Sequence, residues 1–241
     1  MTERSFSEVL DDVRRNYFEI TENIARAAEK SGRKYEDITF LAATKTVEPK
    51  VINHAVSLGL RYIGENKVQE LLSKYDEYDL KSCELQFIGH LQTNKVRQII
   101  DKVSLIQSVD SVKLANEISK QSVKNSLTSN ILVEVNIGRE ENKSGVLAEE
   151  LEDLLGRISE MPNIKVRGLM TVPPICENKI EVRKFFDKMY ELFIDISTKK
   201  MDNICMDCLS MGMSDDYEEA VLSGANMVRI GSRLFGRRIY R

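Results

Sequence analysis

The chain has 241 residues, of which 42% are apolar and 30% charged, a balance that excludes a disordered polypeptide and suits one sizeable hydrophobic core. Its 35 Lys and Arg against 38 Asp and Glu leave a formal net charge of −3, without the broad basic face that nucleic-acid backbones require. Charges run through the N-terminal segment, and no apolar stretch reaches the roughly eighteen residues of a membrane span, so the expectation is a cytoplasmic protein with no membrane partner.

Residues 3 to about 31 show helical periodicity, with Val9, Val13, Ile20 and Ile24 on one stripe and Ser31-Gly32 as a stop. The segment 38–44 (ITFLAAT) reads as a short buried strand, and Pro49 marks the start of the helix after it. The alternation continues with strands at 61–65, 84–89 and 103–109, and with helices from about Lys67, from Asn94 and after Asp110. A β-branched apolar run at 130–138, ended by Gly138, makes the fifth strand. A helix at about 147–160, a strand at 164–172, a long helix over about 178–200 and a strand at 205–212 follow. The segment SDDYEEAVLSG at 214–224 predicts a helix with Ser214 as N-cap and Gly224 as stop, before an eighth strand at 226–231.

Eight strands alternating with seven helices, with no low-complexity linker, predict a single (β/α)8 barrel domain over residues 1–241. The N-terminal helix and the short C-terminal tail are expected to cover the surface that a full eighth helix would otherwise protect.

In such a barrel the chemistry sits at the C-terminal ends of the strands, and phosphate is often held by the loops after the seventh and eighth. Here those loops read Met211-Gly212-Met213-Ser214 and Arg229-Ile230-Gly231-Ser232, small and hydroxyl residues that allow close backbone approach to an anion. Taken singly, they are ordinary helix caps. Lys45 stands at the end of the first strand behind three small residues, Ala42, Ala43 and Thr44. A lysine is normally a solvated surface residue. One that is partly desolvated at a barrel mouth, or close to a cation such as Arg229, becomes nucleophilic toward an aldehyde. An aldehyde carrying a phosphate describes pyridoxal 5′-phosphate.

Six segments, ATKTVEP (43–49), IGENKVQE (63–70), FIGHLQTNK (87–95), RGLMTV (167–172), LSMGMSDD (209–216) and VRIGSRLFG (228–236), together resemble the pyridoxal phosphate homeostasis proteins over essentially the whole chain. That family is similar to the barrel domain of alanine racemase, fold type III of the pyridoxal phosphate proteins. The resemblance implies that Lys45 forms the internal aldimine and that Ser214, Gly231 and Ser232 hold the phosphate. Arg229 would lie beside the cofactor, near its ring nitrogen or its phosphate. Asn66 and Met170 would line the ring, with His90 and Lys95 near the same mouth. It further implies a monomeric carrier that supplies pyridoxal phosphate to dependent apoenzymes. The alternative is a racemase-like enzyme using Lys45 as a base. Against that alternative, no acid for the pyridine nitrogen and no second proton-transfer group stand out, and the chain ends just after the eighth strand.

Other features read as structural. Cys83, Cys176, Cys205 and Cys208 are too few and too unevenly spaced for a disulfide scaffold. Cys205 and Cys208 form a CxxC, but residues three apart on a strand face opposite ways, so no metal is expected there. His54 lies on a helix without a ligand partner at useful spacing. Arg233, Arg237, Arg238 and Arg241 form a small basic cluster explained by solvation, and the acids at 214–219 suit a helix start.

Overall fold

The computed structural model describes residues 5–236. Eight parallel strands close into a barrel in sequence order: β1 (Thr39–Ala43), β2 (Tyr62–Glu65), β3 (Glu84–Phe87), β4 (Leu105–Val109), β5 (Ser129–Glu134), β6 (Ile164–Met170), β7 (Ile204–Ser210) and β8 (Met227–Ile230). Closure comes from β8 pairing with β1, Leu41 lying opposite Arg229. The nine described helices are α1 (Phe6–Lys30), α2 (Pro49–Ser57), α3 (Val68–Lys74), α4 (Val96–Ile99), α5 (Val112–Lys124), α6 (Leu151–Ser159), α7 (Lys179–Ser197), α8 (Tyr217–Leu222) and α9 (Ser232–Phe235). Seven of them, α2 to α8, alternate with the strands as expected.

Strand alternation divides the apolar residues into two layers. Leu41, Leu105, Leu132, Met170 and Met227 fill the lumen. A larger cluster, including Phe40, Ile63, Phe87, Ile106, Ile131 and Val228, lies between the barrel wall and the helices. At about 25 cal/mol per Å2 of apolar surface removed from water, these two layers supply the main force holding the barrel closed.

α1 begins with a capping box, Ser5 and Glu8 each accepting the other's backbone N–H, and it buries Val13, Tyr17, Ile20 and Ile24. It packs against α8, α9 and α2. Asn23 donates to the Tyr217 hydroxyl at 2.9 Å, and just beyond the helix Arg33 donates to the carbonyls of Val221, Gly224 and Ala225. α1 thus covers the flank beside β8, where α9 has only four residues. The tail arginines Arg237, Arg238 and Arg241 lie outside the described residues.

Three local expectations are corrected. β5 stops at Glu134 although the apolar run continues: the Val135 N–H still donates to the Met170 carbonyl of β6, but the Asn136 main-chain N–H donates to the Val146 carbonyl and the chain turns at Arg139 with φ 58°, so 136–138 leave the sheet. The helix expected from Asn94 is a 3-10 turn, Thr93–Lys95, followed by the single turn of α4. Ser214 is not the N-cap of α8; Asp216 occupies that position and accepts from the Met213 N–H at 2.6 Å, while the Ser214 hydroxyl turns toward β8. Gly224 does end α8, with φ 103°. No described helix is long and apolar enough to cross a membrane.

Candidate functional site

The alternation that sends Leu41 into the lumen sends Ala43 there too, and the Thr44 N–H extends the ladder by donating to the Gly64 carbonyl at 2.9 Å. Thr44 faces the helix layer, where its hydroxyl donates to Glu65 at 2.8 Å, and Lys45 follows it in the turn at the rim of β1. Lys45 is half-buried and belongs to a turn closed by the Val47 N–H on the Thr44 carbonyl at 3.0 Å.

Directly across the β1–β8 seam, Gly231 ends the eighth strand. A Cβ there would lie 3.0 Å from the Ala43 carbonyl oxygen and 3.3 Å from the Ala43 Cβ, so a side chain would press the two rims apart by a few tenths of an ångström. The nearly buried Ser214 hydroxyl accepts from both the Gly231 and Arg233 N–H groups at 3.2 Å. Ser232 is exposed beside them. Lys45 and the expected anion donors therefore occupy one side of the mouth.

Arg229 lies deeper in the lumen and is buried. It donates from Nη1 to Ser210 Oγ at 2.6 Å and from Nη2 to the Thr171 carbonyl at 2.9 Å. Ser210 in turn donates to Gln107 Oε1 at 2.7 Å, and Gln107 Nε2 donates to Gln86 Oε1 at 2.6 Å. Four buried polar side chains from β8, β7, β4 and β3 thus form one chain of bonds across the barrel. Burial lowers the Arg229 pKa to about 10, with the carboxylates of Glu134 and Asp216 pulling it back up, so the guanidinium stays charged at neutral pH.

Met170, at the end of β6, is buried among the lumen residues. Asn66 follows β2, and its Oδ1 is buried without a hydrogen-bond partner. The neighbouring turn fits against it closely: a Cβ at Gly89 would fall 2.1 Å from the Asn66 carbonyl oxygen. His90, more than half exposed, contacts Ser144 Oγ at 3.2 Å and Asp110 Oδ2 at 4.0 Å, while Lys95 is half-buried in the 3-10 turn after β3.

The profile of the alanine racemase N-terminal domain matches residues 16–238. A pyridoxal phosphate homeostasis protein of Aquifex aeolicus is 46% identical over 92% of this chain and 96% of its own length. The Escherichia coli protein of the same name is 34% identical, over 96% of this chain and 99% of that one. The chain belongs to the pyridoxal phosphate homeostasis protein family.

Within that family, a Synechococcus elongatus structure, PipY with pyridoxal phosphate bound, superposes with a TM-score of 0.78 at 28% identity, covering 90% of this chain and 100% of that one. A Bifidobacterium adolescentis protein described as unknown superposes with a TM-score of 0.90 at 29% identity, over 97% and 98% of the two chains. The Corynebacterium glutamicum alanine racemase shares the barrel fold, with a TM-score of 0.66 at 15% identity over 93% of this chain and 60% of that enzyme.

For this member of the pyridoxal phosphate homeostasis family, Lys45, Ser214, Gly231 and Ser232 gather at one rim, with Arg229 and Met170 deeper in the lumen. Sequence reasoning missed Glu134. It ends β5 on the lumen side, and burial together with nearby Asp110 pushes its carboxyl up to about 7 against the pull of Arg229. A lone acid inside an apolar strand (ILVEV) was the available signal. It also missed the buried Glu65, which bonds Thr44 behind the lysine. The CxxC cysteines separate as expected: Cys205 is exposed, whereas Cys208 packs on the lumen cluster and burial drives its thiol up to about 12.

Proposed function

We propose that this chain holds pyridoxal 5′-phosphate at the barrel mouth as a reversible Schiff base on Lys45, and that it buffers the cofactor or delivers it to dependent apoenzymes. The observation that carries the reading is the contact of Gly231 with Ala43, which brings the anion donors of the β8 rim alongside the lysine two residues further on. The pyridoxal phosphate bound in PipY supports the same reading.

The side chains suit an aldehyde that bears a phosphate. Ser214 and Ser232 offer hydroxyl groups to the ester oxygens, and Gly231, its N–H held on Ser214 Oγ, lets the main chain approach closely. Asn66 Oδ1 is a buried acceptor still lacking a donor, and Met170 supplies an apolar wall. When bound, the cofactor supplies an aldehyde carbon on which the Lys45 amine condenses with loss of water, a step that hydrolysis reverses.

Arg229 favours holding over turnover in the first of its two expected positions, beside the ring nitrogen. Amino-acid carbanion chemistry is favoured when an acid keeps the pyridine nitrogen protonated. A guanidinium that stays charged disfavours a second positive charge beside it. A racemase-like reading has one observation in its favour, the Glu134 carboxyl that titrates near neutrality inside the lumen.

Borohydride reduction followed by peptide mapping tests the linkage, and modification at any residue other than Lys45 rejects it. Incubation with single enantiomers of amino acids in deuterated water separates the two readings. Cofactor transfer to an apoenzyme without deuterium at Cα supports the carrier, and steady exchange supports the enzyme.

A further inference from the structure

Behind the rim that carries Lys45, on the helix side of the barrel wall, lies a fully buried carboxylate. Glu65 Oε1 accepts from Thr44 Oγ1 at 2.8 Å, Tyr78 OH at 2.7 Å and Lys74 Nζ at 3.0 Å, while its Oε2 is buried with no hydrogen-bond partner. Lys74 also donates to Glu70 Oε1 at 2.6 Å and to the Thr44 carbonyl at 3.2 Å. Glu70 Oε1 then accepts the Thr46 N–H. Both neighbours of Lys45 are therefore held from behind, Thr44 by its hydroxyl and carbonyl and Thr46 by its amide.

Stability alone does not explain this cluster, because well-packed apolar side chains of similar volume stabilise a core as well as a buried ion group does. The backbone adds a second observation. Thr46 has φ 63°, and it is the third residue of the Thr44–Val47 turn, a place normally taken by glycine or asparagine. A β-branched residue with positive φ is an outlier that persists only where its surroundings over-determine it, and such strain gathers at functional positions. Strain and clamp meet on the residue between them.

We propose that Glu65, Glu70 and Lys74 are positioning residues that fix the main chain of Lys45 and so aim its side chain into the lumen. This rests on the reading that Lys45 is the amine that captures the aldehyde. The clamp joins β2 and α3 to the turn after β1, and its bonds run to Thr44, Thr46 and Tyr78 and not to Ser214, Gly231 or Ser232. It therefore acts on covalent capture and leaves phosphate retention alone.

The test compares the full chain with Glu70→Ala, Glu65→Gln and Lys45→Ala in two measurements. One is the rate at which the visible absorption of the covalent adduct develops with pyridoxal 5′-phosphate. The other is the equilibrium binding of pyridoxine 5′-phosphate, which keeps the ring and the phosphate but carries an alcohol in place of the aldehyde. Glu70→Ala is expected to slow adduct formation about ten-fold, as misaimed reacting groups do, with Glu65→Gln slower still and alcohol binding unchanged in both. Wild-type rates in Glu70→Ala, or parallel weakening of both ligands, overturn the proposal. Glu70 is partly exposed, so its variant decides the matter if Glu65→Gln does not fold. Loss of the borohydride-trapped adduct in Lys45→Ala keeps the underlying reading intact whatever the clamp variants do, whereas its persistence overturns both.

Discussion

Ser214 Oγ accepts the Gly231 N–H at 3.2 Å, tying the loop after β7 to the end of β8 across 17 residues of chain. The same oxygen takes the Arg233 N–H, so one nearly buried hydroxyl organises both sides of the proposed phosphate site.

Ser214→Ala removes that hydroxyl from both amides and from the ligand. A hydrogen bond to a charged group contributes roughly 1.5–3 kcal/mol, so retention of pyridoxal 5′-phosphate is expected to fall by about ten-fold or more. Titration of the apoprotein with the cofactor checks this. Equal affinity in the variant places the phosphate elsewhere.

Ser210→Ala interrupts the lumen chain at its centre. Gln107 Oε1 and Arg229 Nη1 each lose a partner at buried positions, and Arg229 is charged. Leaving buried polar groups unpaired costs about 1–3 kcal/mol each, so a drop in unfolding free energy of that order is expected from urea denaturation. A variant as stable as the parent means that the bonds re-form around the gap.

Much of this arrangement was readable in the chain. The apolar run ITFLAAT marks the first strand and its end just before Lys45, and the seven intervening helices follow from their apolar stripes and stops. The misreadings have a common physical cause, the preference of tertiary contacts over local ones. Ser214 before two acids reads as a local N-cap, yet β8 recruits its hydroxyl. Glu70 and Lys74, four apart on α3, drew no reading from the sequence, because only the convergence of β2, α3 and the turn after β1 shows that they enclose a buried carboxylate. The apolar run of β5 gave no sign of stopping at Glu134, because the bond that peels it away comes from Val146, a dozen residues on.

Glu134 sets a pH dependence whose sign follows from its raised pKa. The folded protein holds this proton up to about pH 7, whereas the unfolded chain releases it near 4.5, so the folded state binds more protons between those values. Stability therefore falls as pH rises through that window and levels off above it, by at most about 3 kcal/mol from this residue. Glu134→Gln removes the titration. Its denaturation midpoint is expected to vary less than the parent's between about pH 4.5 and 7, the span of the shift, and to exceed the parent's above it. Parallel pH profiles for the two proteins would show that the carboxyl ionises at its ordinary pKa.

Gly231→Ala tests the close approach on which the site depends. The added methyl would lie 3.0 Å from the Ala43 carbonyl oxygen, a contact that main chain cannot yield without moving β8 away from β1. Gly231 has a negative φ of −117°, so the position does not call for glycine through a left-handed backbone, and the contact is the feature the variant probes. Displacement at this point withdraws the Gly231 N–H from Ser214 and separates the anion donors from the lysine rim together. Weaker binding of both pyridoxal 5′-phosphate and pyridoxine 5′-phosphate is expected, because the defect lies at the phosphate and not at the amine. Loss confined to the aldehyde form would assign Gly231 to the lysine side, and unaltered binding of both would remove it from the site.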